Sequence, residues 1–222
     1  MIRLGAVSKR HLIAMKHIVM IGPPGSGKGT QSRRLASKGY IQISTGDLLR
    51  AEIKKDTDLG REIALIITKG HLVNDTMALA LISANFNPKN LFIFDGFPRT
   101  EVQAKMLDDQ ILNDRPKVAF EFRVDLKKLE LRLENRRTCD SCGEIYNLIL
   151  KPSDKSLTCN KCGGLLSHRK DDNKDAIETR INVYQQSVSP ILNYYRARNE
   201  LVVLDADLSE SEINEVIKTH IN

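Results

Sequence analysis

The stretch GPPGSGKGT, Gly22 to Thr30, follows a short apolar run and is dense in glycine. It nearly spells G-x-x-x-x-G-K-[ST]. In that pattern glycines let backbone N–H groups approach phosphates, a lysine meets their charge, and a hydroxyl reaches magnesium. Here Gly29 follows Lys28, and the hydroxyl arrives one place later, at Thr30. The chemistry this stretch suits is the binding of a polyphosphate.

A second constellation is the cysteine set Cys139-x2-Cys142 and Cys159-x2-Cys162, each pair followed by a glycine, Gly143 and Gly163. Two sulfurs on one tight turn can reach one ion, and glycine lets the chain leave the turn with positive φ. Free core thiols would not account for paired spacing, and disulfides are disfavoured in a reducing compartment. The pattern predicts a zinc ribbon with four thiolate ligands. With no open position on the metal, the zinc is expected to be structural. His168 lies nearby and is expected on the surface.

The arginines form a third set, in ISTGDLLR (43–50), DGFPRT (95–100), RLENRR (132–137), HRKDD (168–172) and ETRINVY (178–184). One exposed arginine is usually just solvated. These sit at strand ends, helix starts and insert borders, which line the cleft beyond the carboxyl ends of a parallel sheet. Phosphoryl transfer asks for this: positioning and electrostatic stabilisation of several phosphates, with little covalent work by the protein.

The elements that must position these groups are legible as periodicity. KHIVMIG (16–22), YIQIS (40–44), LFIFD (91–95), VAFEFRV (118–124) and LVVLD (201–205) read as buried parallel strands. Residues 27–38 read as a helix with Leu35 and Ala36 on its inner face, stopped by Gly39. Further helices are predicted over 46–55, 59–69, 75–84, 100–110, 125–135, 174–197 and 209–219. The alternation predicts an α/β fold, a five-stranded parallel sheet with helices on both faces. Residues 16–44, 74–135 and 173–222 then form a core, with a small helical insertion at 45–73 and the cysteine-bearing segment at 136–172.

In their order, GPPGSGKGT, ISTGDLLR, DGFPRT, RLENRR and RKDD resemble the adenylate kinases, among them bacterial-type enzymes with a zinc-bearing lid. The resemblance runs over about residues 16–220. It implies a P-loop nucleoside monophosphate kinase-like fold and the reaction MgATP + AMP ⇌ 2 ADP. It also implies that GKGT is the family's own form of the loop, with magnesium held mainly through phosphates and water near Asp95. Gly25, Ser26, Gly27, Lys28, Gly29 and Thr30 would bind the ATP phosphates. Arg132, Arg136, Arg169 and Arg180 would surround the transferring group, and Asp171 and Asp172 would pair with arginines as the lid closes. Arg50 and Arg99 would hold the acceptor phosphate. Thr45, Leu72, Val73, Gly96 and Gln103 would receive its adenine, the Gln103 amide offering both donor and acceptor. Arg169 and Arg180 would also reach the acceptor. Residues near Asp205–Asp207 would meet the donor base.

The bulk numbers limit the alternatives. Lys and Arg outnumber Asp and Glu by 34 to 28 over 222 residues, a net +6, which suits a polyanionic ligand. No apolar run approaches a membrane span. Residues 1–15, MIRLGAVSKRHLIAM, carry Arg3, Lys9, Arg10 and His11 and no acid. They are short and poor in serine for a presequence, and a disordered extension or an upstream start is expected. The expected setting is a monomer in the cytoplasm with structural Zn²⁺, Mg²⁺ arriving with ATP, and no nucleic acid or membrane partner. Two rivals stand beside it: a monophosphate kinase with another base preference, and a nucleotide-regulated zinc-ribbon nucleic-acid binder. The ribbon's single aromatic, Tyr146, disfavours the second, because stacking platforms are the usual device.

Overall fold

The computed structural model describes residues 15–221. The expectation for the first 14 residues lies outside them. In chain order the elements are β1 (His17–Ile21), α1 (Lys28–Ala36), β2 (Tyr40–Ser44), α2 (Thr45–Ile53), α3 (Asp58–Ile67) and α4 (Asp75–Asn85). Then come β3 (Leu91–Asp95), α5 (Glu101–Met106), a π-helical turn (Leu107–Leu112), β4 (Lys117–Arg123) and α6 (Lys127–Glu134). The chain continues through β5 (Arg136–Cys139), β6 (Ile145–Asn147), β7 (Leu166–Ser167), a 3₁₀ turn (Lys170–Asp172), α7 (Lys174–Arg196), β8 (Leu201–Asp205) and α8 (Glu210–Ile221). Among the described residues no helix is long and apolar enough to cross a membrane.

Five strands form one parallel sheet in the order β2-β3-β1-β4-β8. Every residue of the central strand β1 is buried, as a strand covered on both faces must be. Its side chains alternate. Val19 and Ile21 join a core with Ile63, Leu107, Ile191 and Tyr195, under α3, the π turn and α7. Ile18 and Met20 join a second core with Leu35, Ile213 and Ile217, under α1 and α8. The helices therefore lie on both faces. The chain leaves β1 toward β2 but leaves β4 toward β8, so a crevice opens between them at the strands' carboxyl ends. The phosphate loop fills its floor. Residues 136–167 contribute a separate antiparallel sheet, β6-β5-β7.

Two details depart from the sequence reading. Ala36 is exposed; the inner face of α1 carries Gln31, Ser32 and Leu35, and Ala36 falls about 100° away from Leu35. The helix expected over 100–110 becomes α5 plus a wider turn, in which the Asn113 N–H donates to Asp108 O at 2.8 Å. That turn carries the Asp108 carboxylate to Lys117 Nζ, 3.2 Å away, and Lys117 also stands 3.2 Å from Glu200. The Tyr194 hydroxyl donates to Asp108 at 2.9 Å. This network fastens the C-terminal end of α7 to the sheet. Arg180, nearer the other end of that helix, is thereby held over the cleft.

Burial raises the pKa of Asp108 and of Glu200, and Lys117 opposes the rise. A carboxyl whose folded pKa is raised holds its proton better folded than unfolded. Stability then falls as pH climbs above the ordinary carboxylate range. Lys117→Met removes the counter-charge from both groups. It is expected to cost about 3 kcal/mol near pH 8 and clearly less near pH 5, as urea unfolding at the two pH values would read out.

Candidate active site

A cleft of ≈ 560 Å³ lies over the carboxyl ends of the sheet. Its floor is the loop from β1 to α1. α1 begins at Lys28 with Gly27 at its N-cap, φ 92°, no side-chain cap and no acid in its first turn. Helix-start N–H groups without a cap form an anion site. The Ser26 N–H, expected at the phosphates, donates instead to Pro23 O at 3.3 Å. Lys28 Nζ folds back onto Gly22 O at 2.7 Å and Pro23 O at 2.8 Å. A Cβ at Gly29 would stand 3.4 Å from Ile145 and 3.6 Å from Asp95 Oδ2. The further atoms of Ser or Thr would have to share that gap, which gives a physical reason for the late hydroxyl at Thr30.

The cleft gathers the residues the sequence placed on the ATP phosphates, AMP and magnesium, from Gly25 to Arg180, and takes Asp207 but not Asp205 from the stretch expected at the donor base. At the acceptor side, α2 starts on a Ser44 cap, whose hydroxyl accepts from Asp47 N at 3.3 Å. This turns Thr45 inward, where its hydroxyl meets Asp95 O at 3.3 Å. Gly96 has φ 84°, and a Cβ there would lie 2.6 Å from Thr45 Oγ1 and 3.1 Å from the Arg99 guanidinium. Only glycine leaves Arg99 room to donate through Nε to Gly96 O at 2.8 Å. Leu72 and the buried Val73 form an apolar wall. The Gln103 amide is engaged at both ends: Oε1 accepts from Arg99 N at 2.7 Å, and Nε2 donates to Asp75 Oδ1 at 2.7 Å.

The remaining arginines arrive from α2, from the antiparallel sheet's borders and from α7. Arg136 grips Asp172 with two donors, Nε at 2.8 Å and NH2. Arg180 donates to the same carboxylate at 2.9 Å and stands 3.4 Å from Asp171. Arg50 lies 3.5 Å from Asp171 and donates to Asp47 at 2.6 Å. Arg169 donates to Thr138 Oγ1 at 2.8 Å. Arg132 and Lys128, one helical turn apart on α6, share Asp207, each at 2.9 Å. Ala206 and Leu208 line the wall beside Asp207, where the donor base was expected.

The electrostatics follow from this crowding. Enclosure in the cleft lowers the Lys28 pKa to about 8; Asp95 opposes the fall, and Arg99, Arg180 and Arg136 add to it. Burial and neighbouring guanidiniums pull the same way on Arg99, Arg169 and Arg180. For Asp172 burial pushes the pKa up, but Arg136 and Arg180 hold the carboxyl below its ordinary value. Such a site gains from receiving a polyanion.

The sequence reading missed several supporting residues. Gln42 donates to Asp95 Oδ2 at 3.2 Å, and Arg33 donates to Gly143 O at 2.6 Å, tying α1 to the antiparallel sheet above it. Asp47 sat inside a quoted motif, three residues before its partner Arg50. Nothing local marks Gln42, Arg33 or Asp75, because their partners are distant in sequence.

Residues 20–200 match the family model described as adenylate kinase. The chain belongs to the adenylate kinase family. It is 38% identical over 207 residues to the adenylate kinase of Fervidobacterium nodosum, covering 90% of this chain and 95% of that one. It is 38% identical over 195 residues to that of Archaeoglobus fulgidus, covering 85% and 90%. The adenylate kinase of Thermodesulfovibrio yellowstonii is 40% identical over 202 residues, 88% of this chain and 94% of its own.

Apart from the cleft, the four cysteine sulfurs lie within 4.8 Å of one another. Cys139 and Cys162 stand 3.5 Å apart, and Cys142 and Cys159 3.7 Å. Tetrahedral zinc with bonds of about 2.3 Å sets its sulfurs about 3.8 Å apart, so the donor set fits. The two turns are alike: the Gly143 N–H returns to Cys139 O at 2.9 Å, and the Gly163 N–H to Cys159 O at 2.8 Å. His168 is exposed and outside the cluster. Gly164, which the sequence reading passed over, is the tightest point. A Cβ there would come within 2.6 Å of Ser141 Oγ and 2.9 Å of Cys139 Sγ. Gly164→Ala is therefore expected to lower the bound metal, measured by elemental analysis, and the melting temperature by about 5 °C.

Proposed function

We propose that the phosphoryl transfer of this family, MgATP + AMP ⇌ 2 ADP, runs in the cleft by direct in-line attack. Lys28 and the α1 N-terminus cradle the ATP phosphates, with Gly25, Gly27, Gly29 and Thr30 along the backbone path and Ser26 contributing its side of the loop. Arg50 and Arg99 clamp the acceptor phosphate, while Thr45, Leu72, Val73, Gly96 and Gln103 receive its adenine. Arg132, Arg136, Arg169 and Arg180 gather around the transferring group, with Arg169 and Arg180 reaching the acceptor as well. The acceptor oxygen is already an anion, so alignment matters more than a general base. Magnesium fits beside Asp95 and Thr30, oxygen groups at the phosphate end of the cleft, and would neutralise charge on the phosphates.

In this reading residues 16–44, 74–135 and 173–222 are the core, 45–73 the AMP-binding insertion and 136–172 a zinc-bearing lid. Closing the lid excludes water, which would otherwise take the phosphoryl group. The contacts of Arg33 with Gly143 and of Asn147 with Arg132 O, at 2.6 and 2.9 Å, are of the kind closure needs. We take the metal to be zinc and structural, and the enzyme to work as a cytoplasmic monomer.

The observation that carries this reading is one cleft in which Arg99, Arg136 and Arg180 gather close enough to Lys28 to perturb it over a phosphate loop. The nucleic-acid alternative loses support from the ribbon itself. The Tyr146 ring is buried, and its hydroxyl stands 3.4 Å from Cys159 Sγ, so it offers no stacking face.

The test is a coupled assay of ADP formation with AMP, UMP, CMP or GMP as acceptor and ATP or GTP as donor. Magnesium-dependent turnover is expected with AMP far above the other acceptors. Lys28→Met is expected to lower kcat by about a thousandfold or more while the circular dichroism spectrum stays unchanged. Near-normal kcat in that variant would remove the phosphate loop from the chemistry.

A further inference from the structure

The Gln103 amide is 2% exposed and faces the cleft, but its partners lie behind and beside it. α5 begins T-E-V-Q. Thr100 caps it, its hydroxyl accepting from Gln103 N at 3.1 Å, so Gln103 stands at the position from which a capping box reaches back. It does reach back, but to Arg99 N, at 2.7 Å through Oε1. The other end of the amide donates to Asp75 Oδ1 at 2.7 Å. Asp75 is the first residue of α4, just after the Asn74 cap, and does not itself line the cleft.

A backbone N–H can only donate, and an ionised carboxylate can only accept. Turning the amide over would set its NH2 against the Arg99 N–H and its oxygen against the Asp75 carboxylate. Both contacts would then repel, so the amide has one allowed orientation. Its second N–H and its second carbonyl lone pair remain for a ligand. That pair matches adenine, which offers a ring-nitrogen acceptor beside an amino donor. It mismatches guanine or hypoxanthine, whose six-position oxygen would face the Gln103 oxygen.

We propose that Asp75 is a positioning residue that sets acceptor-base specificity by locking the Gln103 amide against inversion. The proposal rests on Gln103 as the reader of the acceptor base.

The experiment measures kcat/KM for AMP and IMP, with KM for ATP, in the wild type, Asp75→Asn, Asp75→Glu, Gln103→Leu and the Asp75→Asn/Gln103→Leu double variant. Melting temperatures show that each is folded. Asn can donate or accept, so the Asp75 side of the lock is released and only the Arg99 N–H still opposes inversion. The AMP-to-IMP ratio is expected to fall about tenfold in Asp75→Asn, chiefly through KM for AMP, while KM for ATP shifts by less than about twofold. Asp75→Glu, which keeps an acceptor-only partner, should recover part of the ratio. In the Gln103→Leu background Asp75→Asn should change nothing further. An unchanged ratio in Asp75→Asn would overturn the lock. So would an effect that persists without Gln103. An unchanged ratio in Gln103→Leu itself would instead remove Gln103 as base reader, and the lock with it.

Discussion

Positive charge held close to positive charge is the constraint on which the rest of the structure depends. Arg99, Arg136 and Arg180 each make protonation of Lys28 less favourable, Arg180 does the same to Arg99 and Arg136 to Arg180, so a folded protein without a polyanion must hold these charges by other means. Asp171 and Asp172 do much of this. Asp172 is fully buried, gripped by Arg136 from the antiparallel sheet and by Arg180 from α7. Asp171 stands between Arg180 and Arg50, from α7 and α2. The two carboxylates thus join three parts of the chain at one point. Removing either would leave buried guanidiniums without a counter-charge, a costly defect.

The same constraint explains how the scaffold is shared out. The floor comes from rigid elements: β1, the α1 start and the ends of β3. Arg50 comes from α2, Arg136 and Arg169 from the antiparallel sheet and its border, and Arg180 from α7. Carboxylate partners of this kind can be exchanged for phosphates when a nucleotide enters, because both accept guanidinium donors in the same geometry. Four cysteines then hold in shape a sheet too small to bury a core of its own; its buried residues beyond two of the sulfurs are Tyr146 and Leu166.

Much of this was legible in the sequence. YIQIS, LFIFD and LVVLD carry their strand character locally, and the structure has strands over those residues. The phosphate loop and the cysteine turns are legible because their chemistry needs fixed spacing. What sequence could not yield depends on partners far along the chain. Ala36 looked internal beside Leu35, yet packing chose the face of Gln31 and Ser32. The turn at Leu107–Leu112 widens where Asp108 meets Lys117 and Tyr194. Gly164 matters because Ser141 and Cys139 approach it, and Asp75 because Gln103 does. A glycine needed for space and an acid needed for orientation have no local signature.

The claim at the centre of this account is that a clamped, water-excluding cleft passes the phosphoryl group directly between nucleotides. The most direct test is a rapid-quench single turnover with γ-labelled ATP, AMP and magnesium, following label into ADP, inorganic phosphate and protein. Direct transfer predicts that nearly all transferred label enters ADP as ATP is consumed, with no labelled protein at any time. Label on the protein before ADP appears, or release mainly as inorganic phosphate with AMP saturating, would contradict it.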